Sequence, residues 1–354
     1  MKKAIWMLTL TIHSCFVFGQ GDELRNFIEN QLKTYPNCEI AIGVIDGEEE
    51  IKLGYRIVDG KLNAVDNSST LYEIGSISKT FTAALFSREL QQGNMSLDDP
   101  IQRHLDFEIK KESFKNQTIK ISHLVTHTSG MKKNPLVGYK KYAKYLKGFE
   151  LDYIPGVNWE YNNMTIALLA KMITERNGRT WSDLLHQEIL IPLDMQSTFV
   201  NRDDAPIESR VRCEGKNGEV KDCYYHKFQE FQWPAGAMIS NVNDMITWMS
   251  ANIEQNSPLD FLHLAHDPLG DSISIEWFDY YQATQGIVWR SYRTSKQKRI
   301  ICHGGITPSH TSFIAMDKDQ RKGVIVLINV NGASIWNEHK ITKTTELAMK
   351  IFEL

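Results

Sequence analysis

The stretch Tyr72-Glu73-Ile74-Gly75-Ser76-Ile77-Ser78-Lys79-Thr80-Phe81 puts a lysine, accompanied by two serines, at the head of an apolar segment. Phe81, Ala84, Leu85 and Leu90 follow at helical spacing, so the spacing predicts a core helix. Residues three apart on a helix share a face, about 5–6 Å from each other. Ser76 and Lys79 have that relation, whereas Ser78 and Lys79 do not. A serine hydroxyl is a weak nucleophile until an adjacent base takes its proton. A lysine serves as that base when burial lowers its pKa, because desolvation disfavours the ammonium form. A helix N-terminus at Ser76 would also favour a developing oxyanion. The plainer alternative is a capping serine beside a snorkelling lysine.

Serine and lysine at this spacing occur three times, as Ser76–Lys79, Ser129–Lys132 and Ser295–Lys298. Ser129 runs into Gly130 and a Lys-Lys-Asn-Pro turn, and Ser295 lies in a charged loop, so only Ser76 opens an apolar helix. Two further elements match the same chemistry. Tyr161-Asn162-Asn163 stands where a Pro155-Gly156 loop meets a helix from Met164. His303-Gly304-Gly305-Ile306 closes a strand with two glycines, which let a ligand approach the backbone closely. The structural alternatives are helix capping for Tyr161 and Asn163, and an ordinary strand-end histidine for His303.

Strand patterns cluster at the two ends of the chain. Glu39–Asp46 and Ile51–Ile57 flank an Asp46-Gly47-Glu48 turn, and Arg299–Cys302, Thr311–Met316 and Gly323–Val330 form a second group. A short helix is expected near Leu24–Lys33 and an amphipathic one over Ser334–Leu354. The middle is largely helical, with Met164–Thr174 stopping at Asn177-Gly178 and Thr180–Leu190 breaking at Pro192. This predicts an α/β protein: one antiparallel sheet built from both termini, flanking helices, an all-helical lobe roughly over 80–230, and a cleft between.

The chain has 354 residues, 42% hydrophobic and 23% charged, with a net charge of −3. Such a composition supports a large folded core and offers no basic field for nucleic acid. Met1-Lys2-Lys3 and the apolar run Ala4–Phe18 form a secretory leader ending near Gly19 or Gln20, leaving 21–354 as a single domain in the periplasm or outside the cell. A lipid anchor at Cys15 or a retained leader are the other readings; no other run is apolar enough to span a membrane. In an exported protein Cys213 and Cys223 would close a hairpin as a disulfide, with two free thiols as the alternative. Cys38 and Cys302 fall in apolar strands and are expected buried and unpaired. The absence of CxxC and HExxH gives no call for a metal, and no cofactor is expected. The partner is a small-molecule or peptide substrate; the oligomeric state is not readable.

Taken together, these phrases resemble the serine β-lactamase and penicillin-recognising family, above all the branch of class C β-lactamases, D-alanyl-D-alanine carboxypeptidases, D-aminopeptidases and related esterases. The resemblance rests on SxxK at Ser76–Lys79, YxN at Tyr161–Asn163 and His303–Gly305, in that order. Ser96–Pro100, Leu124–Gly130 and Pro234–Gly236 support it, and it runs from about Ile40 to Asn331. It implies Ser76 as the acylated nucleophile and Lys79 with Tyr161 as the base system. Asn163 would bond the substrate amide and Lys79, the N–H groups of Ser76 and Ile306 would form the oxyanion hole, and His303 would line the leaving-group side.

Class C enzymes carry Lys-Thr-Gly at the third motif, where this chain has His303-Gly304-Gly305. A histidine there is mostly uncharged at neutral pH. The expectation is therefore an exported serine hydrolase for a small ester or amide, such as a D-amino-acid peptide. A penicillin-binding carboxypeptidase, a weak class C-like β-lactamase, and a non-catalytic penicillin-recognising sensor are the alternatives. Tyr224, Tyr225, Phe228, Phe231 and Trp233 are expected either to wall the pocket or to pack the core.

Overall fold

The computed structural model describes residues 13–109, 113–131, 137–151, 153–214, 220–223, 227–270, 283–330 and 342–354. Its frame is an eight-stranded antiparallel sheet. The strands are β1 (Cys38–Asp46), β2 (Glu49–Val58), β3 (Lys61–Ala64), β4 (Ala283–Gln285), β5 (Arg290–Arg293), β6 (Arg299–Ile306), β7 (Thr311–Asp317) and β8 (Lys322–Ile328). Their spatial order is β4-β5-β6-β7-β8-β1-β2-β3. The two ends of the chain thus meet where β8 pairs with β1, Ile42 opposite Val326. Both strands are apolar almost throughout because both faces of the sheet are covered.

One face lies under α1 (His13–Leu32) and α5 (Lys343–Glu353), whose Ile28, Leu32, Leu347 and Ile351 cluster with Ile40 and Ile42. The other face lies under α4 (Val242–Ile253), where Ile246 and Met249 share a core with Ala41, Ile45 and Ile314. That second core continues into the helical lobe. There α2 (Ser78–Gln91) is buried on every side over its first ten residues, 78–87, and Phe81 stacks on Trp248 at 4.0 Å. A helix apolar on all sides belongs in the middle of a fold, so a lysine in its first turn is held out of water. Beside it runs α3 (Asn163–Asn177), ended by Gly178 in the left-handed conformation (φ 62°).

Several elements differ from expectation. The described part of helix α1 runs from His13 to Leu32, longer than the short helix expected near Leu24–Lys33. Strand β6 does not stop at Cys302 but continues through Gly304 and Gly305 to Ile306, because its ladder to Ser312 and Thr311 outweighs the poor strand propensity of glycine. Strand β8 ends at Ile328. Of the expected Ser334–Leu354 helix, residues 334–341 lie outside the described residues, and the described part begins at Lys343. Strands β3, β4 and β5 had not been anticipated.

Cys213 and Cys223 form a disulfide, Cα–Cα 4.8 Å, across a ladder of Arg212–Glu214 with Val220–Asp222. Cys38 and Cys302 are buried and unbonded, and burial pushes each thiol up to about 12. Phe231 packs on the rings of Tyr139 and Tyr142 at 5.3 and 5.7 Å, which supports core packing there; Tyr224 and Tyr225 lie outside the described residues. No helix among the described residues is long and apolar enough to cross a membrane.

Candidate active site

Ser76 sits in a tight 3-10 turn, Gly75–Ile77, just before α2. The turn is anchored by its neighbours. Ser78 Oγ donates to the Gly75 carbonyl at 2.7 Å and accepts from the Met238 N–H at 3.1 Å. The second serine of the motif is therefore structural. Gly75 has φ +52°, a left-handed conformation that glycine adopts at little cost. A Cβ there would lie 2.8 Å from the Ile306 nitrogen. The end of β6 is thus pressed against the turn that carries Ser76, and the Ser76 and Ile306 backbone segments adjoin.

Two side chains converge on Ser76 Oγ. Lys79 Nζ lies 2.8 Å away, and the Tyr161 hydroxyl donates to it at 2.7 Å. Lys79 also donates to the Ala235 carbonyl and lies 4.9 Å from the Tyr161 ring centroid. Lys79 is fully buried. Burial first, and the Arg290 guanidinium second, hold its pKa well below the ordinary lysine value. Burial raises Tyr161, partly opposed by Arg290 and by its bond to Ser76. The site therefore pairs a lysine poised to accept a proton with a phenol poised to keep one.

His303 is buried on β6, its Nδ1 2.8 Å from the Gly304 carbonyl and its Nε2 without a hydrogen-bond partner. Burial, then Arg290 and Lys79, push it well below the usual histidine value, so it is uncharged at neutral pH, as its residue type had implied. Gly304 and Gly305 bring the β6 backbone against the Ser76 turn. A methyl on Gly305 would overlap the Ile74 carbonyl oxygen.

The asparagines divide their roles differently from expectation. Asn162 is the helix cap, its Oδ1 accepting from the Met164 N–H at 2.9 Å while its Nδ2 donates to the Met131 carbonyl at 3.1 Å. Asn163 Oδ1 is buried with no hydrogen-bond partner, and the expected bond to Lys79 is not made. The reason is geometric: Lys79 is spent on Ser76 and Ala235. Asn162→Ala is expected to cost about 1–3 kcal/mol of stability, as a lost cap and a stranded carbonyl. Asn163→Ala is expected to leave the denaturation midpoint near wild type yet lower kcat/KM about tenfold, one hydrogen bond to substrate. Chemical denaturation and ester kinetics on the two variants check the division.

Sequence reasoning missed Arg290, Trp159 and His127. Trp159 donates to Gln285 Oε1 at 3.1 Å, and the His127 ring lies 4.6 Å from that of Tyr161. His127 stands inside the Leu124–Gly130 phrase and Trp159 inside the loop before Tyr161, so both were within motifs already singled out. Arg290 carried no such signal. The partner positions Lys132 of the Ser129 match, and residues 331–341, lie outside the described residues.

A profile of the beta-lactamase family matches residues 24–340. Protein flp of Staphylococcus aureus is 25% identical over 293 residues, 78% of this chain and 56% of that protein. A beta-lactamase of Yersinia enterocolitica is 26% identical over 264 residues, 73% of this chain and 65% of that protein. The chain thus spans little more than half the length of the flp relatives it matches. Among solved structures, the D-alanine carboxypeptidase AmpC of Burkholderia cenocepacia superposes with a TM-score of 0.74 at 21% identity, covering 94% of this chain and 99% of that one. An octameric penicillin-binding protein homologue of Pyrococcus abyssi superposes at 0.75 with 19% identity, covering 94% and 76%. These structures share the fold, sheet and helical lobe alike. With the family profile spanning most of its length and the Ser76, Tyr161 and His303 motifs assembled around one serine hydroxyl, this chain belongs to the beta-lactamase family.

Proposed function

We propose that the protein is an exported serine hydrolase that works through an acyl-enzyme on small esters or amides, D-amino-acid peptides among them. The observation that carries this reading is the convergence of Lys79 Nζ and the Tyr161 hydroxyl on Ser76 Oγ at 2.8 and 2.7 Å. Neutral Lys79 takes the Ser76 proton as Oγ attacks the carbonyl carbon. The oxyanion is held by the N–H groups of Ser76 and Ile306, each such donor worth about 3 kcal/mol in comparable sites. Tyr161 passes its proton to the departing oxygen or nitrogen and is reprotonated from Lys79. The bond to the leaving group breaks, leaving the acyl group on Ser76. Water then attacks the ester, its proton returning through the same pair, and the acid is released.

The leader at residues 1–20 and a single domain over 21–354 complete the proposal. A penicillin-recognising sensor without turnover is disfavoured, because Ser76, Lys79 and Tyr161 are all present and in contact. The test is turnover of a phenyl ester by wild type and Ser76→Ala. A fall of at least about a thousandfold in kcat/KM supports the nucleophile assignment, and undiminished turnover by the variant rejects it. Benzylpenicillin run alongside separates the branches. Opened drug or a lasting adduct extends the reading to β-lactams, while inertness with ester turnover intact confines it to esters and amides.

A further inference from the structure

Glu73 stands three residues before Ser76, on the two-residue strand Tyr72–Glu73 that pairs with Ile239–Ser240. His310 stands four residues after Ile306, at the end of the turn that joins β6 to β7. The two meet in the interior: His310 Nδ1 lies 3.2 Å from a Glu73 carboxylate oxygen, the side chains 0% and 2% exposed. The turn that ends in His310 is closed on itself. The Thr307 N–H donates to the His310 carbonyl at 2.9 Å, and the His310 backbone N–H donates to Thr307 Oγ1 at 3.1 Å. The imidazole also stands edge-on to the ring of Tyr72, centroids 6.2 Å apart. Two residues further on, Ser312 Oγ donates to the Ile74 carbonyl at 2.8 Å. Adjacent residues 73 and 74 are thus bonded to alternate residues 310 and 312. One such bond would let the two segments pivot about it; two do not.

A buried pair of this kind adds little stability. Taking ionisable groups out of water offsets most of what their attraction returns, and apolar residues of like volume often serve as well. What the pair supplies is direction, since a hydrogen bond holds its partners within a narrow range of distance and angle. Neither side chain is among the groups bonded to Ser76 Oγ. The segments they join, however, are the two that present the oxyanion N–H groups, Ser76 following Glu73 and Ile306 preceding His310.

We propose that the buried Glu73–His310 pair is the positioning latch of the oxyanion hole, holding the Ser76 and Ile306 N–H groups at the separation a tetrahedral intermediate requires. This rests on the acyl-enzyme reading above. Two donors serve one oxygen only when both are aimed at it, and a small misplacement removes much of their effect. A pivot of the His310 turn would carry Ile306 with it, because Thr311 pairs directly with Ile306 across the hairpin. Both members of the pair are positioning residues, acting through the backbone on either side of the hole.

The test replaces both partners at once, since removing one leaves the other buried without this bond. Glu73→Leu/His310→Phe fills similar volume and is expected to melt close to wild type. Its kcat for a phenyl ester is expected to fall about ten- to a hundredfold at little changed KM, approaching the loss of one oxyanion donor. Affinity for phenylboronic acid, whose tetrahedral adduct on Ser76 places an oxygen in the same hole, is expected to weaken by a similar factor. Glu73→Gln, whose amide oxygen still accepts from the imidazole, is expected to recover most of the lost rate. A double variant that keeps wild-type kcat and boronate affinity overturns the latch, whatever its melting point. Should that variant not fold, Glu73→Asp is read in its place. It draws the carboxylate back by one methylene, and unchanged kcat and boronate affinity there overturn the proposal in the same way. Wild type that neither turns over the ester nor binds the boronate rejects the hydrolase reading and the latch with it, whereas the earlier results reject the latch alone.

Discussion

Replacing Lys79 with methionine is expected to slow acylation severely and to stabilise the fold in the same variant. The loss follows from removing the base: about 10²–10⁴-fold in the acylation rate, the usual range for general-base catalysis. The gain follows from burial. Lys79 is fully buried with its pKa well below the ordinary 10.5, and methionine fills similar space without a charge to desolvate. Between the depressed folded value and the unfolded value, the unfolded chain binds the extra proton, so wild-type stability rises with pH in that window. The handicap of wild type is then greatest below the folded value and fades towards the unfolded one. Denaturation of both proteins across that range is expected to show the methionine variant ahead by about 1 kcal/mol or more at neutral pH, with the gap closing as pH rises. A variant less stable than wild type at every pH would mean that Lys79 is an ordinary structural residue.

Alanine at Gly305 is expected to damage stability and activity together, while alanine at Gly304 damages neither severely. The Cβ added at Gly305 overlaps the Ile74 carbonyl oxygen, itself held at 2.8 Å by Ser312 Oγ. Backbone on both sides of the contact cannot yield as a flexible side chain does, and overpacking of this kind costs about 1–3 kcal/mol. Relief requires β6 to move away from the turn that carries Ser76. The Ile306 N–H moves with β6, and one misplaced oxyanion donor costs about 10²–10³-fold in kcat. At Gly304 the added Cβ would press only on the Phe313 ring, at 3.3 Å, with the Ser312 carbonyl oxygen at an ordinary 3.7 Å, and a ring has room to adjust. Thermal melts and ester kinetics on the pair check this; equal behaviour of the two variants would count against the close apposition of β6 and the Ser76 turn.

Much of this architecture can be read from the chain because its strongest local patterns coincide with its global roles. The runs of β1 and β8 are apolar almost throughout, as suits strands covered on both faces, and their positions near opposite ends of the chain imply a shared sheet. Ser76–Lys79 stands out from two identical spacings because only it heads an apolar helix. What stayed hidden was created by pairing in space. Arg290 looks like an ordinary residue at the end of an apolar run; the register of β5 with β6 is what brings it beside the His303 segment and the Tyr161 ring. That Asn162 rather than Asn163 caps α3 turns on a one-residue boundary that propensity does not resolve. Nor could a spacing rule show that Ser76 lies in a 3-10 turn, or that Lys79 is held by the Ala235 carbonyl, 156 positions away.

The most direct measurement is the location of the acyl group. Wild type, Ser76→Ala and Lys79→Met are each mixed with an activated phenyl ester and quenched over time, and intact mass followed by peptide mapping identifies the modified residue. The expected result is one acyl group on the peptide holding Ser76, absent from Ser76→Ala and slowed at least about a hundredfold in Lys79→Met. Acyl transfer to another residue, or acylation of Ser76→Ala at the wild-type rate, would contradict the assignment of Ser76 as the nucleophile.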